Sequence, residues 1–504
     1  MDLDDSACYR AVLTRDRRFD GRLFIAVTTT GVYCRPVCPA RAPRRQNVRF
    51  YPSAAAAQEA GFRPCLRCRP EASPDLAIWR GTSNTVSRAL GLIENGALDD
   101  GDVVALAERL GVGERQIRRL FKQHLGASPV AVAQTRRVLL AKQLVHDTHM
   151  PMGEVAIAAG FGSVRRFNET FRDLYGRSPR SLRRSRGRDV SAEATGEVTL
   201  RLAYHPPYAW DEMLSFLATR AIPGVESVRG QLYARSIALQ GQLGAIFVEP
   251  GDGTFARVSV RFPKLSALPT IIARVRRVFD LMADPVAIGA HLAEDKTLAP
   301  LVSLRPGLRV PGAWDGFELG VRAILGQQIT VPAARRLAGE LVAAYGEPLR
   351  DAHANAAGLT HVFPDAARVA TGDLSRLGMP GARLKALRSF ADAIVADTAL
   401  LGDGRSLEEA VARLRGLTGI GEWTAQYIAM RQLREPDAFP SGDVALMRAL
   451  ATADGRRPTP NEMLKRAEHW RPWRAYAAVH LWTSLAPAPS PPRKGNPHGH
   501  RAAS

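Results

Sequence analysis

Four of the five cysteines come in two close pairs, Cys34 with Cys38 and Cys65 with Cys68. Two short pairs parted by a longer loop can set four thiolates tetrahedrally around one zinc ion. That constraint shapes the amino-terminal segment before any hydrophobic pattern is considered. Cys8 lies outside the pairs and reads as a spare thiol. Five cysteines in 504 residues do not make a disulfide framework. The β-branched run 24–30 reads as a strand that ends at Gly31 and delivers the first pair.

Charge points to the partner. Lysine and arginine number 69 against 49 acids, a formal net charge of +20, which favours a polyanion. The basic residues fall inside patterned helices rather than in a terminal run, so the expected partner is a nucleic acid rather than the bland alternative of a solvated basic surface or cationic tail. The resemblances below make it double-stranded DNA. Arg35, Arg41, Arg44, Arg45, Arg49, Arg63, Arg67 and Arg69 crowd the cysteines, and the site is expected to face phosphates. A zinc-bound thiolate is also a nucleophile held deprotonated at neutral pH. Met1 to Asp5 is acidic rather than cationic then apolar, so no signal peptide is expected. No uncharged run approaches the ~20 residues of a membrane span. A cytoplasmic protein without a membrane partner is expected.

The run from Thr29 through Cys34-Arg35-Pro36-Val37-Cys38 to Arg41, followed by Gly61-Phe62-Arg63-Pro64-Cys65-Leu66-Arg67-Cys68, resembles the amino-terminal domain of Ada-type DNA repair regulators. The resemblance implies that Cys34 accepts a methyl group from a methylated backbone phosphate. It also implies that Cys34, Cys38, Cys65 and Cys68 are the zinc ligands. Of the crowding arginines, Arg35, Arg45 and Arg67 are the expected DNA contacts. A methyl phosphotriester has lost its charge, so an anionic thiolate cluster is not repelled from it. Methylation then lowers the negative charge of the site and tightens its hold on phosphates.

From Asp102 the periodicity turns helical. Val104, Leu106, Ala107, Leu110, Ile117, Leu120 and Phe121 flank the turn Gly111-Val112-Gly113. A long helix is expected over 130–145. Val155, Ala156, Ala159, Phe167 and Phe171 repeat the arrangement around Gly160-Phe161-Gly162. Two such units joined by a helix resemble the AraC class of activators, which implies RNA polymerase as a partner. The candidate readers are Glu114, Arg115, Gln116, Arg118 and Arg119 in the first unit, and Ser163, Arg165, Arg166 and Asn168 in the second. Of these, Arg115, Arg118, Arg165 and Arg166 are the expected DNA contacts, most of them to phosphate.

Residues 197–304 alternate short strands (198–202, 233–237, 245–248, 257–260) with two helices, 210–220 and 268–281, an α+β module. The run from His205-Pro206-Pro207-Tyr208 to Arg220 resembles the amino-terminal domain of AlkA-type 3-methyladenine DNA glycosylases. Phe317 to Gln328 resembles a second segment of that family, whose glutamine-bearing loop implies Gln327 at the damaged base. The family places a bulky apolar wedge near this loop, where this chain has the polar Gln328.

Ser406-Leu407-Glu408-Glu409 reads as a capping box that starts a helix leading into Gly419-Ile420-Gly421. A second helix follows with Trp423 and Tyr427 on one face, and Asp443 then opens another. Turn amides and a helix amino terminus can bind a phosphate, and Asp443 also reads as a helix N-cap. The whole resembles the helix-hairpin-helix superfamily of glycosylases. That resemblance implies phosphate contacts at Gly419, Gly421 and Thr424, a monovalent cation at the hairpin, and Asp443 as the catalytic carboxylate. Phe216, Trp423, Tyr427 and Trp482 then form the base pocket. Alkylation of a ring nitrogen makes the base cationic, weakens its glycosidic bond and suits an aromatic pocket, once the base is unstacked. Relatives that also cut the strand carry a lysine where Trp423 stands, so hydrolysis alone is expected.

The expected fold is multidomain. It comprises a small α/β zinc domain (1–76), an all-α double helix-turn-helix (82–186), a linker (187–196), an α+β module (197–304), an all-α helix-hairpin-helix domain (305–486) and a disordered tail (487–504). The expected function joins a methyl-phosphotriester sensor and activator to a monofunctional glycosylase for alkylated DNA of the 3-methyladenine and 7-methylguanine type. One zinc and no organic cofactor are expected. The alternative is a transcription regulator whose glycosylase half binds but does not cleave.

Overall fold

The computed structural model describes residues 4–16, 19–70, 84–94, 96–99, 101–183, 197–402, 406–452 and 454–485. The expected linker before 197 and the tail beyond 486 lie outside these residues except for the edges of their neighbours.

In the first module α1 (Asp5–Leu13) precedes β1 (Phe24–Val27), β2 (Val32–Cys34), β3 (Val48–Tyr51), α2 (Ala54–Glu59) and β4 (Arg63–Pro64). The sheet order is β3-β1-β2-β4. The strand expected over 24–30 stops at Val27, because Thr28–Thr30 form the turn: Thr30 and Gly31 both donate to the Val27 carbonyl, and Gly31 takes φ +63°. Antiparallel β1–β2 and parallel β2–β4 pairing, with Tyr33 opposite Pro64, carries Cys34 and Cys65 off adjacent strand ends.

The second module contains α3 (Asn84–Glu94), α4 (Val103–Arg109), α5 (Glu114–Leu125), α6 (Pro129–Asp147), α7 (Met152–Ala158), α8 (Val164–Tyr175) and α9 (Pro179–Leu182). α5 buries Ile117, Phe121 and Leu125, and α8 buries Phe167, Phe171 and Tyr175. Both stripes fall at i, i+4, i+8, one face of a helix. Each helix ends on a left-handed glycine, Gly126 at φ +69° and Gly176 at φ +65°, the conformation glycine adopts without a Cβ clash. Ser128 caps α6 and Pro129 occupies its first turn.

The third module is a five-stranded antiparallel sheet of order β5-β9-β8-β7-β6: β5 (Glu197–Ala203), β6 (Glu226–Arg229), β7 (Leu232–Leu239), β8 (Gln242–Pro250) and β9 (Phe255–Arg261). The helices are α10 (Trp210–Arg220), α11 (Leu268–Val278), α12 (Pro285–Leu292) and α13 (Leu298–Leu304). The sequence suggested two helices and no β6. That strand was hidden by its charge, since Glu226 is buried only because Arg235 and Arg322 pair with it. Ile288, Leu292 and Leu298, from α12 and α13, join the core of the helical domain rather than that of the sheet.

That domain continues with α14 (Gly316–Leu325), α15 (Val331–Tyr345), a two-stranded ribbon β10 (Glu347–Pro348) with β11 (His361–Val362) enclosing α16 (Ala352–Ala356), then α17 (Ala366–Thr371), α18 (Gly381–Ala396), α19 (Leu407–Arg415), α20 (Glu422–Arg431), α21 (Val444–Ala449), α22 (Pro460–Ala467) and α23 (Arg474–Ser484). α14 is its buried axis. A Cβ on Gly320 would lie 2.2 Å from the Phe390 ring, so only glycine lets α18 approach.

The modules are joined. One apolar cluster runs from α6–α9 into the five-stranded sheet. Buried Lys142 on α6 donates to the Cys65 carbonyl at 2.8 Å, Gln143 donates to the Arg201 carbonyl, and Arg22 pairs with Asp284. Among the described residues no helix is long and apolar enough to cross a membrane.

Candidate metal centre and base pocket

The metal centre is held by loops at the strand ends. The sulfurs of Cys34, Cys38, Cys65 and Cys68 all lie within 4.8 Å of one another. A tetrahedral zinc with sulfur at about 2.3 Å sets its ligands about 3.8 Å apart, so the cluster fits that ion. The Arg35 and Arg67 amides point at the sulfurs of Cys68 and Cys65, at 3.4 and 3.3 Å, as is usual around thiolates. Hydrogen bonding among the sulfurs raises the Cys34 thiol and lowers that of Cys65. Four thiolates this close need a divalent cation to share their charge. Cys8 is apart, buried with Ala11 and Leu23.

The arginines divide. Arg35 was expected to face phosphate, but its guanidinium turns inward to Asp20 and to the Cys68 carbonyl. Its neighbour Asp20 is 4% exposed, which makes Arg35 a brace for the ligand loops. One terminal nitrogen of Arg69 donates to both carboxylate oxygens of Asp147 on α6 at 2.9 Å, and Arg63 lies over the Tyr175 ring. Arg41, Arg44, Arg45, Arg49 and Arg67 remain exposed, although Arg45 also pairs with Asp5. On the activator helices Arg115, Gln116, Arg118, Arg119, Arg165 and Arg166 are exposed. Arg118 pairs with Glu114 and Arg165 with Glu169 along their own helices. The Ser163 hydroxyl caps α8 by accepting from the Arg166 amide, and Asn168 is half-buried.

The second site is a cavity of about 1130 Å³ between the sheet module and the helical domain. Phe216, Gln327, Trp423, Tyr427, Asp443 and Trp482 all line it, although they come from five separate elements. Asp443 caps α21 by accepting from the Leu446 amide at 2.9 Å. The Trp423 indole donates to its Oδ2 at 2.8 Å and the Trp482 indole to its Oδ1 at 3.0 Å. A carboxylate offers about four acceptor positions, so three donors leave one, on Oδ2. Trp423 stacks on Tyr427 with centroids 5.1 Å apart, and Trp482 stands edge-on to Tyr427 at 6.4 Å. A third ring between stacked partners needs about 7 Å, so a base must use the outer faces of this pair.

Gln327 braces the hairpin, donating to the Gly419 carbonyl at 2.9 Å and towards the Thr424 hydroxyl at 3.3 Å, while Arg383 holds its own carbonyl. Gly419 takes φ +78° and a Cβ there would lie 2.3 Å from Ala386. Gly421 is the N-cap of α20. Gln328 sits at the rim with φ +58°, a left-handed conformation uncommon for a residue with a Cβ.

Sequence reading missed the cations of this cavity. Arg220 lies 3.9 Å and Arg431 4.9 Å from the Phe216 ring centre, and Arg431 donates to the Tyr427 hydroxyl at 2.5 Å. A signal existed: Arg220 follows Phe216, and Arg431 follows Tyr427, by four residues on one helix, which places each pair on one face. Burial pushes the Tyr427 phenol up, but Arg431 and Arg220 bring it below its ordinary range. Behind them Glu226, Arg235, Glu318 and Arg322 form a closed ring of alternating charge. Burial opposes the charge on Glu226, yet Arg322 and Arg235 hold its carboxyl down at about 2.

Four family models match the chain in order: the metal binding domain of Ada over 7–71, a helix-turn-helix domain over 106–185, the AlkA N-terminal domain over 199–315, and the base excision DNA repair superfamily HhH-GPD over 321–475. A probable bifunctional transcriptional activator/DNA repair enzyme AlkA of Mycobacterium tuberculosis is 42% identical over 484 residues, 96% of this chain and 97% of that protein. The chain belongs to this family. Its carboxy-terminal half is 35% identical to DNA-3-methyladenine glycosylase 2 of Escherichia coli over 288 residues, 56% of this chain and 95% of the enzyme. A 3-methyladenine DNA glycosylase from Archaeoglobus fulgidus superposes with a TM-score of 0.50 at 20% identity, covering 56% of this chain and 97% of that one, and so shares the fold. In this bifunctional activator/repair family the four-cysteine cluster is a site for one zinc ion, and the helical half is built on a glycosylase frame.

Proposed function

We propose that the chain is a bifunctional alkylation-damage protein: a methyl-phosphotriester sensor and activator joined to a monofunctional glycosylase for alkylated DNA. The observation that carries the glycosylase reading is the Asp443 carboxylate, gripped by two indoles and a helix amide inside an aromatic cavity that can hold a flipped base. Its free Oδ2 position faces the work of such a site. There it stabilises the positive charge that develops on the sugar and orients a water. The water oxygen bonds to C1′, the glycosidic bond breaks with its electron pair on the base nitrogen, and the water's proton passes to Asp443 or to solvent. A base alkylated on a ring nitrogen leaves neutral. With Trp423 in the place of a lysine, no lysine lines the cavity among the described residues, and an abasic site is left.

At the other centre the Cys34 sulfur bonds to the methyl carbon of a phosphotriester. The carbon–oxygen bond breaks and the phosphate departs as an ordinary diester anion. Zinc, when bound, keeps the thiolates deprotonated. Cys34 and Cys38 are half-buried whereas Cys65 and Cys68 are buried, so the accessible face of the cluster is the first pair, in keeping with Cys34 as acceptor. The exposed arginines of α5 and α8 hold DNA, and the activator half works through RNA polymerase in the cytoplasm.

The test is base release from methylated duplex by the full chain and by Asp443→Asn. The expected outcome is free methylated base with the wild type and near-complete loss with the variant, while duplex binding persists. Binding without release by the wild type would leave a regulator that only holds damaged DNA. Undiminished methyl transfer by Cys34→Ser would remove the sensor assignment.

A further inference from the structure

The base cavity is lined by five arginines (Arg220, Arg235, Arg322, Arg335 and Arg431) against four acids (Glu226, Asp315, Glu318 and Asp443), an excess of one positive charge. The Glu226, Arg235, Glu318 and Arg322 ring balances itself, two charges against two. Arg220 and Arg431 stand outside it. Arg431 donates to the carbonyls of Pro311 and Gly312 and to the Tyr427 hydroxyl, all uncharged acceptors in their ordinary state. Arg220 lies on Phe216, with its guanidinium carbon 3.9 Å from the ring centre. The quadrupole that would attract a cationic base is therefore already engaged on Phe216, twice.

Two guanidiniums beside a leaving base act on its departure. A cationic base leaves neutral, so nearby positive charge contributes little to its exit and opposes its entry. An uncharged base must take the electron pair of the broken bond and leave as an anion, and that charge grows in the transition state. Fixed cations on the aromatic wall stabilise that charge in the transition state and not in the ground state.

We propose that Arg220 and Arg431 are the specificity-determining residues of this cavity. They favour excision of uncharged bases whose edge carries a carbonyl acceptor, by stabilising the departing base anion. The proposal rests on the glycosylase reading of the cavity given above. Water adds to C1′, the base leaves with the electron pair, and the water's proton neutralises it on release.

The experiment is single-turnover excision by the full chain from two duplexes, one with 7-methylguanine and one with hypoxanthine. Wild type is compared with Arg220→Met and Arg220→Lys. The expected result is a hypoxanthine-to-methylguanine rate ratio at least tenfold lower in Arg220→Met and largely restored in Arg220→Lys. A ratio unchanged in Arg220→Met would overturn the proposal, as would a wild type that releases 7-methylguanine but no hypoxanthine. A wild type that releases neither defeats the glycosylase reading itself. Thermal melting of both variants guards against misfolding. Should Arg220→Met unfold, the ratio in Arg220→Lys against Arg220→Gln decides in the same way.

Discussion

The two reactive centres are built on opposite plans. The cysteine cluster is nearly local: two short loops, each at the end of a strand, carry all four ligands, and backbone amides point at the sulfurs. The base cavity is nonlocal. Phe216 comes from α10, Trp423 and Tyr427 from α20, Asp443 from the start of α21 and Trp482 from α23. A local centre is held by its metal, so its stability is the binding energy of one ion. A dispersed centre is held by the packing of the whole helical domain around α14, so its geometry follows the stability of that domain.

The largest effect that sharpens this contrast is loss of zinc. Stripping the metal, or Cys65→Ser, should unfold the first module, since structural zinc contributes on the order of 10 kcal/mol to such small domains. Limited proteolysis should then cleave within 19–70 while base release by the carboxy-terminal half continues. Simultaneous loss of base release would break the contrast by showing that the halves stand or fall together.

Acid tests the dispersed centre. Burial holds the His480 imidazole down at about 4, against an ordinary value of 6.5. The unfolded chain takes up this proton before the folded one does. The stability contribution is therefore complete above pH 6.5 and is lost progressively as pH falls towards 4, by on the order of 3 kcal/mol. Thermal melting of the helical domain over that range should show the fall, and His480→Gln should flatten it.

A smaller effect isolates the grip on Asp443. Trp482→Phe keeps the ring and removes the indole donor to Oδ1. A hydrogen bond to a charged group contributes about 2 kcal/mol, so single-turnover excision should fall roughly thirtyfold. A variant with full rate would show that Trp423 and the Leu446 amide suffice. The smallest is the start of α19. Ser406 and Glu409 form the capping box there, and Ser406→Ala should cost about 1 kcal/mol in the melting of the helical domain, with excision at low temperature nearly unchanged.

Much of this was legible in the residues. The cysteine pairs, the i, i+4 pairs Ile117–Phe121 of α5 and Phe167–Phe171 of α8, the capping box and the Asp443 cap are short-range signals, and short-range physics fixes them. Leu125 and Tyr175, which complete the two stripes, went unread. The failures had one cause. β6 was missed because Glu226 looks like a surface residue until Arg235 and Arg322 are placed beside it. α12 and α13 went unread because their apolar residues serve the core of the next domain. Arg35 looked like a phosphate contact because Asp20, its partner, precedes it at a distance that spacing does not interpret.

The sequence by itself determined the order of the modules, the metal ligands and the caps that aim Asp443, because each rests on residues a few positions apart. Only the tertiary structure decided which charges are balanced. It paired Glu226, Arg235, Glu318 and Arg322 into a closed ring and left Arg220 and Arg431 on the aromatic wall. Charges act through space at distances set by packing, and no local pattern reveals which of them have been cancelled.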